Sequence, residues 1–246
     1  MKTIGLLGGM SWESTQTYYR ALNEGVRQHL GGLHSARIAM ISVDFAEIEA
    51  LQHAGNWDET AVILSEAAEA LERAGADFIL ICTNTMHKVA PQIQARVSLP
   101  LLHIADATAM ELKTAGVSRV GLLGTQFTME QDFYKGRLQD HGLEVVVPNQ
   151  LGRKRVHDII YQELCLGQIK NESRQVYLSV IDELVEEGAQ AVILGCTEIG
   201  LLVEPKHTDV PLYDTTAIHA RMAVEAAIVP DALNIFSSKQ NIRVGE

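Results

Sequence analysis

The sequence has little basic charge, few cysteines and no long hydrophobic run, and these shortages exclude several functions. Its 20 Lys and Arg residues are outnumbered by 31 Asp and Glu residues, which gives a formal net charge of −11. Such a surface repels phosphate backbones and anionic lipids, so we expect neither nucleic-acid nor membrane-surface binding. No apolar run approaches the roughly 18–20 residues that a membrane span requires.

The cysteine content and the N-terminus predict a cytoplasmic location. The chain has three cysteines, an odd number, and the apolar run Ile4–Leu7 is too short for a signal peptide. This combination indicates reduced thiols in the cytoplasm. Hydrophobic residues make up 47% of the 246 residues, which is enough for a packed core rather than a disordered chain.

Short apolar runs alternate with longer stretches that have helical spacing. Residues 59–71 and 176–185 show the apolar stripe of an amphipathic helix. Strands are predicted at Ile4–Leu7, Ile38–Val43, Phe78–Ile81, Leu99–Ile104, Val120–Leu123, Val145–Val147, Ala191–Leu194 and Val210–Tyr213. This alternation predicts an α/β fold with mainly parallel sheets covered on both faces.

An internal repeat at a spacing of about 111–116 residues indicates two related halves. Ile4–Gly8 recurs as Val120–Gly124, and Leu99–Leu101 recurs as Val210–Leu212. We therefore predict two pseudo-symmetric three-layer domains, formed by residues 1–112 with 215–246 and by residues 113–214. The alternative is the general likeness of parallel α/β units. Residues 229–246 lose the periodicity, and we expect a loosely packed tail there.

Ligands of parallel sheets bind at the carboxyl ends of strands, and the first predicted strand ends in Gly8-Gly9-Met10-Ser11. Two glycines permit a tight turn, and Ser11 can cap the following helix. Free N–H groups at such a helix start would hold a carboxylate, although a purely structural turn is the favoured interpretation. The full G-x-G-x-x-G spacing is missing, which argues against dinucleotide binding.

Two further strand ends carry Thr83-Asn84-Thr85 and Cys196-Thr197-Glu198. The repeat places Thr83 and Cys196 at equivalent points, so we expect them to face one cleft between the halves, where hydroxyls and amides would bind a small carboxylate. A helix N-terminus beside Cys196 would lower its pKa toward neutral, whereas a buried cysteine that only packs is the alternative. Cys82 and Cys165 are expected to pack in the core.

Nine histidines are present, but they show no close ligand spacing. We therefore expect no metal site. For His87, which follows Thr85 by two residues, a structural role or the orientation of a neighbour is expected.

The sequence resembles the aspartate/glutamate racemase family over nearly the whole chain. The resemblance is carried, in chain order, by Ile4–Met10, Gly195–Glu198 and the strand at Pro211. The resemblance implies two α/β domains with the active site between them, commonly a homodimer, and amino-acid racemisation without pyridoxal phosphate or a metal. Glu198 matches the version of the motif found with aspartate-like substrates. Glutamate racemases of cell-wall synthesis typically carry His at this position.

The family mechanism uses two cysteines, one on each face of the substrate Cα. The first family motif has the sequence Cys-Asn-Thr, so Thr83 occupies the position of one catalytic cysteine, since the side chain of Cys82 would point to the other side of the strand. A Thr hydroxyl is a poor base at neutral pH. We therefore expect Cys196 to remove the Cα proton of an L-amino acid and reprotonation to occur near Thr83.

The resemblance also implies which residues bind the substrate, L-aspartate or L-glutamate. They are Met10 through its backbone N–H, Gln52, Thr83, Asn84, Thr85, Thr197 and Glu198. Taken without the resemblance, Gln52 would be an exposed loop amide after the second strand. Two alternatives stay open: a small-diacid isomerase or decarboxylase of the same superfamily, and a nearly inactive carboxylate-binding protein.

Overall fold

The computed structural model of the protein describes residues 1–230 and Leu233. Its strands are β1 (Ile4–Gly8), β2 (Ile38–Ser42), β3 (Phe78–Ile81), β4 (Arg119–Gly124), β5 (Glu144–Val146), β6 (Ala191–Gly195) and β7 (Leu212–Asp214). All pairs between these strands are parallel. The predicted α/β class with parallel sheets is confirmed. The predicted tail, residues 229–246, lies outside the described residues except for 229, 230 and 233.

Helices connect the strands. They are α1 (Trp12–Leu30), α2 (Phe45–His53), α3 (Trp57–Arg73), α4 (Ala90–Gln94), α5 (Ile104–Thr114), α6 (Gln126–Glu130), α7 (Asp132–Asp140), α8 (Gln150–Gln162), α9 (Asn171–Glu186), α10 (Ile199–Leu202) and α11 (Thr215–Ile228). Short 3-10 helices occupy Thr85–Val89, Leu164–Leu166 and Pro205–His207. Among the described helices, none is long and apolar enough to cross a membrane.

The chain divides into two compact units. The first unit comprises Met1–Cys82, Val89–His103 and the described residues from His219 onward, and the second comprises Thr83–Lys88 and Ile104–Ile218. The first unit holds a sheet with the strand order β2-β1-β3, and the second a sheet with the order β5-β4-β6-β7. The domain boundaries inferred from the repeat, at residues 112/113 and 214/215, stay a prediction.

The two sheets share one topology, because β2, β1 and β3 occupy the same places as β5, β4 and β6. The prediction of a full strand at Leu99–Ile104 is wrong. This run forms one parallel bridge between Ile79 and Leu101, since Pro100 has no N–H to donate and α5 already begins at Ile104. The Pro100 carbonyl still accepts from Ile79 N–H at 2.9 Å, as the Pro211 carbonyl does from Val192 N–H.

The second unit covers both faces of its sheet with helices. Along β6, Ala191 and Ile193 pack with α5 and α7, whereas Val192 and Leu194 pack with α8 and α9. Successive side chains of a strand point to opposite faces, so an unbroken apolar run serves two cores. Cys196 belongs to the cluster that contains Val192 and Leu194, which sets the direction of the candidate catalytic side chain.

In the first unit, a fixed turn joins β1 to α1. Gly9 has a φ of +93°, and its N–H donates to Thr15 Oγ1 at 2.8 Å. Ser11 caps α1 by accepting from the Ser14 N–H, and the Ser14 hydroxyl donates to the Cys82 carbonyl at 2.6 Å. The favoured interpretation of Gly8–Ser11 as a structural turn therefore agrees with the contacts of Gly9, whose N–H is already engaged.

Replacing Gly9 with Ala is expected to lower the free energy of unfolding by about 2–4 kcal/mol. A Cβ at Gly9 would lie 2.2 Å from the Val43 carbonyl oxygen, and the positive φ adds backbone strain. Chemical denaturation of both proteins measures the difference.

The matched control is Gly75→Ala. Gly75 also has a positive φ, of +82°, but a Cβ there would meet nothing within 4 Å. We expect a loss of only about 1 kcal/mol in this variant. Equal losses in the two variants would contradict the proposed close approach at Gly9.

Candidate active site

The carboxyl ends of β4 and β6 form one edge of the second unit's sheet, here called the carboxyl edge. Gly124 and Gly195 are partners on the last rung of the ladder between these strands. Thr125 and Cys196 follow directly in the chain. Because the strands are parallel and end on the same rung, the residues after them lie at one edge, where ligands of open α/β sheets bind.

The Thr83–Lys88 segment belongs to this same unit and is bound to the carboxyl edge. The Thr85 and Thr125 hydroxyls lie 3.1 Å apart. Asn84 Nδ2 donates to Thr215 Oγ1 at 3.0 Å, and the Thr215 hydroxyl donates to the Leu194 carbonyl at 3.0 Å. The structure thus brings Asn84 and Thr85 to the ends of β6 and β4.

His87 fixes the backbone at Thr83. Its Nε2 accepts from the Ile104 N–H at 3.3 Å, so the ring proton is on Nδ1, which donates to the Thr83 carbonyl at 2.8 Å. His87 is buried, and the contact from the Ile104 N–H requires the neutral ring, since a protonated Nε2 cannot accept. The expectation that His87 orients a neighbour agrees with these contacts, and the neighbour is Thr83.

Cys196, Thr197 and Glu198 form one buried cluster. Glu198 Oε2 accepts from Cys196 Sγ at 3.0 Å and from the Thr197 hydroxyl at 2.6 Å. One carboxylate oxygen therefore holds two neighbouring side chains. A thiol and a carboxylate at hydrogen-bond distance can exchange a proton without releasing it to solvent.

The expectation that the pKa of Cys196 is lowered toward neutral is wrong. Burial raises the pKa of this thiol well above its usual value, and the negative charge of Glu198 raises it further. The following helix α10 has only four residues, so its N-terminus offers little compensation. In this structure the thiol, rather than the thiolate, is the resting form of Cys196.

The other two cysteines differ from Cys196 in their surroundings. Cys82 is fully buried, and burial raises the pKa of its thiol. Cys165 is partly buried and packs against the cluster that contains Cys196. Both placements agree with the expected packing role.

Met10 and Gln52, the remaining predicted binding residues, belong to the first unit. Met10 lies between β1 and α1 and is buried. The expectation of an exposed loop amide at Gln52 is wrong, because Gln52 is only 2% exposed and lies in the last turn of α2. Only two residues separate β2 from α2, so Gln52 lies within the helix rather than in a loop.

Sequence reasoning missed Thr125 and Thr215, which hold the Thr83–Lys88 segment through their hydroxyls. Both follow the carboxyl ends of strands that the apolar runs did predict. The rule that selected Cys196 would have selected them too, had it been applied to every strand end. Across residues 1–230 and Leu233, no group of three or more His, Cys, Asp or Glu side chains is placed to hold a metal ion.

Comparison with known proteins identifies the family. The model of the family described as Asp/Glu/Hydantoin racemase matches residues 7–223. The chain belongs to the Asp/Glu/Hydantoin racemase family. This confirms the family that the sequence motifs indicated and the prediction of a racemase enzyme.

Relatives within this racemase family cover nearly the full chain. The Broad specificity amino-acid racemase RacX of Bacillus subtilis is 25% identical over 230 residues, which are 90% of this chain and 96% of RacX. A candidate Asp/Glu racemase from Yersinia pestis is 56% identical with a TM-score of 0.87, covering 93% of this chain and 100% of its own. An aspartate racemase homologue from Pyrococcus horikoshii is 39% identical with a TM-score of 0.80, covering 92% and 99%.

Replacing Glu198 with Gln is expected to lower the pKa of Cys196. The carboxylate disfavours the thiolate through its negative charge, whereas the amide of Gln has no charge. Alkylation of Cys196 by iodoacetamide, followed by peptide mass spectrometry from neutral to alkaline pH, measures thiolate formation. We expect the rate profile to move to lower pH.

A Cys165→Ser background removes the more exposed thiol, and peptide mass spectrometry reports Cys196, which is 9% exposed, separately from Cys82, which is fully buried. The matched control is Glu204→Gln, because Glu204 lies in the same unit and its carboxylate pairs with Lys206 rather than with a thiol. An unchanged profile in Glu198→Gln, or a move to higher pH, would contradict the assigned effect of the carboxylate.

Proposed function

We propose that this racemase-family enzyme interconverts the enantiomers of an acidic amino acid, L-aspartate or L-glutamate, without a cofactor. In this proposal Cys196 removes the Cα proton and the opposite face is reprotonated near Thr83. The observation that carries the proposal is the buried hydrogen bond between Cys196 and Glu198 at the carboxyl edge. It supplies a thiol together with a proton acceptor where parallel sheets bind ligands.

The names of the relatives support an amino-acid substrate. RacX is named as a racemase of broad amino-acid specificity, and the Pyrococcus horikoshii protein is named for its likeness to aspartate racemase. Aspartate and glutamate are chosen because Glu198 matches the motif version that accompanies aspartate-like substrates. The diacid isomerase and the carboxylate-binding protein stay as alternative outcomes of the test below.

Proton removal begins from the thiol form. Cys196 passes its proton to Glu198 Oε2 along the 3.0 Å hydrogen bond, which leaves a thiolate and a neutral carboxylic acid. The thiolate then takes the proton from the substrate Cα, and the electron pair of that C–H bond stays on the substrate as a carbanion. No net charge enters the buried cluster in the first transfer, which limits the cost of desolvation.

Reprotonation completes the inversion. A water molecule held by the Thr83 hydroxyl donates a proton to the opposite face of the carbanion and becomes hydroxide. The Cys196–Glu198 pair then releases the proton taken from the substrate, which neutralises the hydroxide. Thr83 suits this role as a partly exposed residue whose backbone carbonyl is held by His87. A racemisation has an equilibrium constant of unity, so Thr83 can slow one face but cannot make kcat/KM differ between directions.

Substrate binding in the proposal uses the residues carried over from the family motifs. Asn84, Thr85, Thr197 and Glu198 are buried at the carboxyl edge, where their hydroxyl, amide and carboxyl groups supply polar contacts. Met10 and Gln52 are buried in the first unit and enter the proposal through the resemblance. We further infer a cytoplasmic homodimer, which the resemblance and the cysteine content support.

Incubation with L-aspartate or L-glutamate in deuterium oxide, with chelator and without added cofactor, is expected to place deuterium at Cα. NMR follows the exchange and chiral chromatography follows the inversion. Replacing Cys196 with Ser is expected to lower the exchange of the L-enantiomer about a hundredfold or more, since a hydroxyl is a far weaker acid than a thiol.

Cys165→Ser is the matched control, because it removes a partly buried thiol that packs against the apolar cluster containing Cys196. Unchanged exchange in Cys196→Ser would overturn the assignment. No exchange by the native protein with either substrate would instead favour diacid chemistry or ligand binding without turnover. A ligand-dependent rise in melting temperature would identify the binding protein.

Replacing Thr83 with Cys is expected to raise the ratio of inversion to exchange. The thiol restores the family's Cys-Asn-Thr motif and donates a proton far more readily than a hydroxyl. The ratio is measured in the same deuterium experiment, with Thr83→Ser as the control that keeps the hydroxyl. A ratio that is equal in the native protein and in Thr83→Cys would show that reprotonation does not involve position 83.

A further inference from the structure

The side-chain oxygen of Asn84 is buried without a hydrogen-bond donor among the described residues. Asn84 is 2% exposed, so this oxygen is shielded from bulk solvent. A buried amide oxygen without a hydrogen-bond partner destabilises the folded protein. Such an atom at a ligand-binding edge indicates that the ligand itself supplies the donor.

The hydrogen-bond chain through Thr215 fixes which atom of Asn84 stays unpaired. The Leu194 carbonyl can only accept, so the single Thr215 hydroxyl proton is used in the 3.0 Å contact with it. Thr215 Oγ1 can then only accept from Asn84. The Asn84 atom that lies 3.0 Å from Thr215 must therefore be the N–H donor Nδ2, which leaves Oδ1 as the free acceptor.

Thr215 is available for this role because another side chain caps the helix that it begins. Asp214 Oδ1 accepts from the N–H groups of Thr216 and Ala217 at 2.8 and 3.1 Å. The Thr215 hydroxyl is thus not needed at the N-terminus of α11. Its partner on β6, the Leu194 carbonyl, belongs to the sheet backbone and cannot change direction.

We propose that Thr215 is a positioning residue that presents Asn84 Oδ1 to an N–H donor of the substrate, the α-ammonium group. The inference rests on the proposed function, since it assumes that the ligand at the carboxyl edge is an amino acid. An ionised carboxylate cannot occupy this position, because it has no proton to donate. The site therefore distinguishes an amino acid from the diacid of the same length that lacks the amino group.

The test compares the binding of L-aspartate and succinate by isothermal titration calorimetry. The native protein is expected to bind L-aspartate more tightly than succinate. In Thr215→Val, which keeps the shape but loses the hydroxyl, we expect the affinity for L-aspartate to fall about tenfold and the affinity for succinate to stay unchanged. Thr215→Ser, which restores the hydroxyl, is expected to recover most of the affinity. L-glutamate and glutarate form a second pair.

A double-mutant cycle with Asn84→Ala separates positioning from a general structural role. If Thr215 acts through Asn84, the double variant binds L-aspartate as weakly as Asn84→Ala alone. Additive losses would overturn the inference, as would equal losses for L-aspartate and succinate. Thr60→Val is the matched control, because Thr60 is also fully buried but lies in α3 of the first unit.

Failure of the inference about Thr215 is distinguishable from failure of the proposed racemisation, because the binding measurement requires no turnover. A protein without Cα exchange that still loses amino-acid preference in Thr215→Val would overturn the proposed racemisation and support this inference. Exchange in the native protein together with unchanged binding in Thr215→Val would overturn only this inference. A native protein that shows no preference for either amino acid over its diacid would also overturn it.

Discussion

The parallel pairing of β4 with β6 determines where Cys196, the candidate base, lies in the second unit. Both strands end in glycine on one rung, and the space there does not accept a side chain. A Cβ at Gly195 would lie 2.7 Å from the Leu123 carbonyl oxygen, and one at Gly124 would lie 2.9 Å from the Gly195 carbonyl oxygen. This close backbone approach sets Thr125 and Cys196 side by side at the carboxyl edge.

Burial keeps Cys196 in the thiol form, and the same burial hinders formation of the thiolate that must act as the base. A thiol in an apolar cluster next to a carboxylate keeps its proton, which suits a proton donor but not a base. The hydrogen bond to Glu198 provides a route to the thiolate. The carboxylate whose charge disfavours the thiolate also accepts the proton of the thiol. Acid and base forms of the pair then differ by the position of one proton, as expected for a centre that must work in both directions.

The sequence predicted seven of the strands, because each rests on a local run of apolar residues, whereas the roles of the residues next to the strand ends stay a prediction. The pKa of Cys196 could not be predicted, since it depends on Glu198 and on the packing of distant helices. The environment of Gln52 was missed because an amide residue gives no signal of burial. The bond from Asn84 to Thr215 joins residues 131 positions apart, and only the folded chain shows such a pairing.

The Thr83–Lys88 segment has a consequence for how the fold could be divided. In the chain, these six residues stand between two segments of the first unit, Met1–Cys82 and Val89–His103. In the fold, they belong to the second unit. A fragment comprising residues 104–218 would hold the whole sheet β5-β4-β6-β7 but would leave the hydroxyls of Thr125 and Thr215 without Thr85 and Asn84. A chain that arose from two consecutive copies would thus no longer be separable into two consecutive working parts.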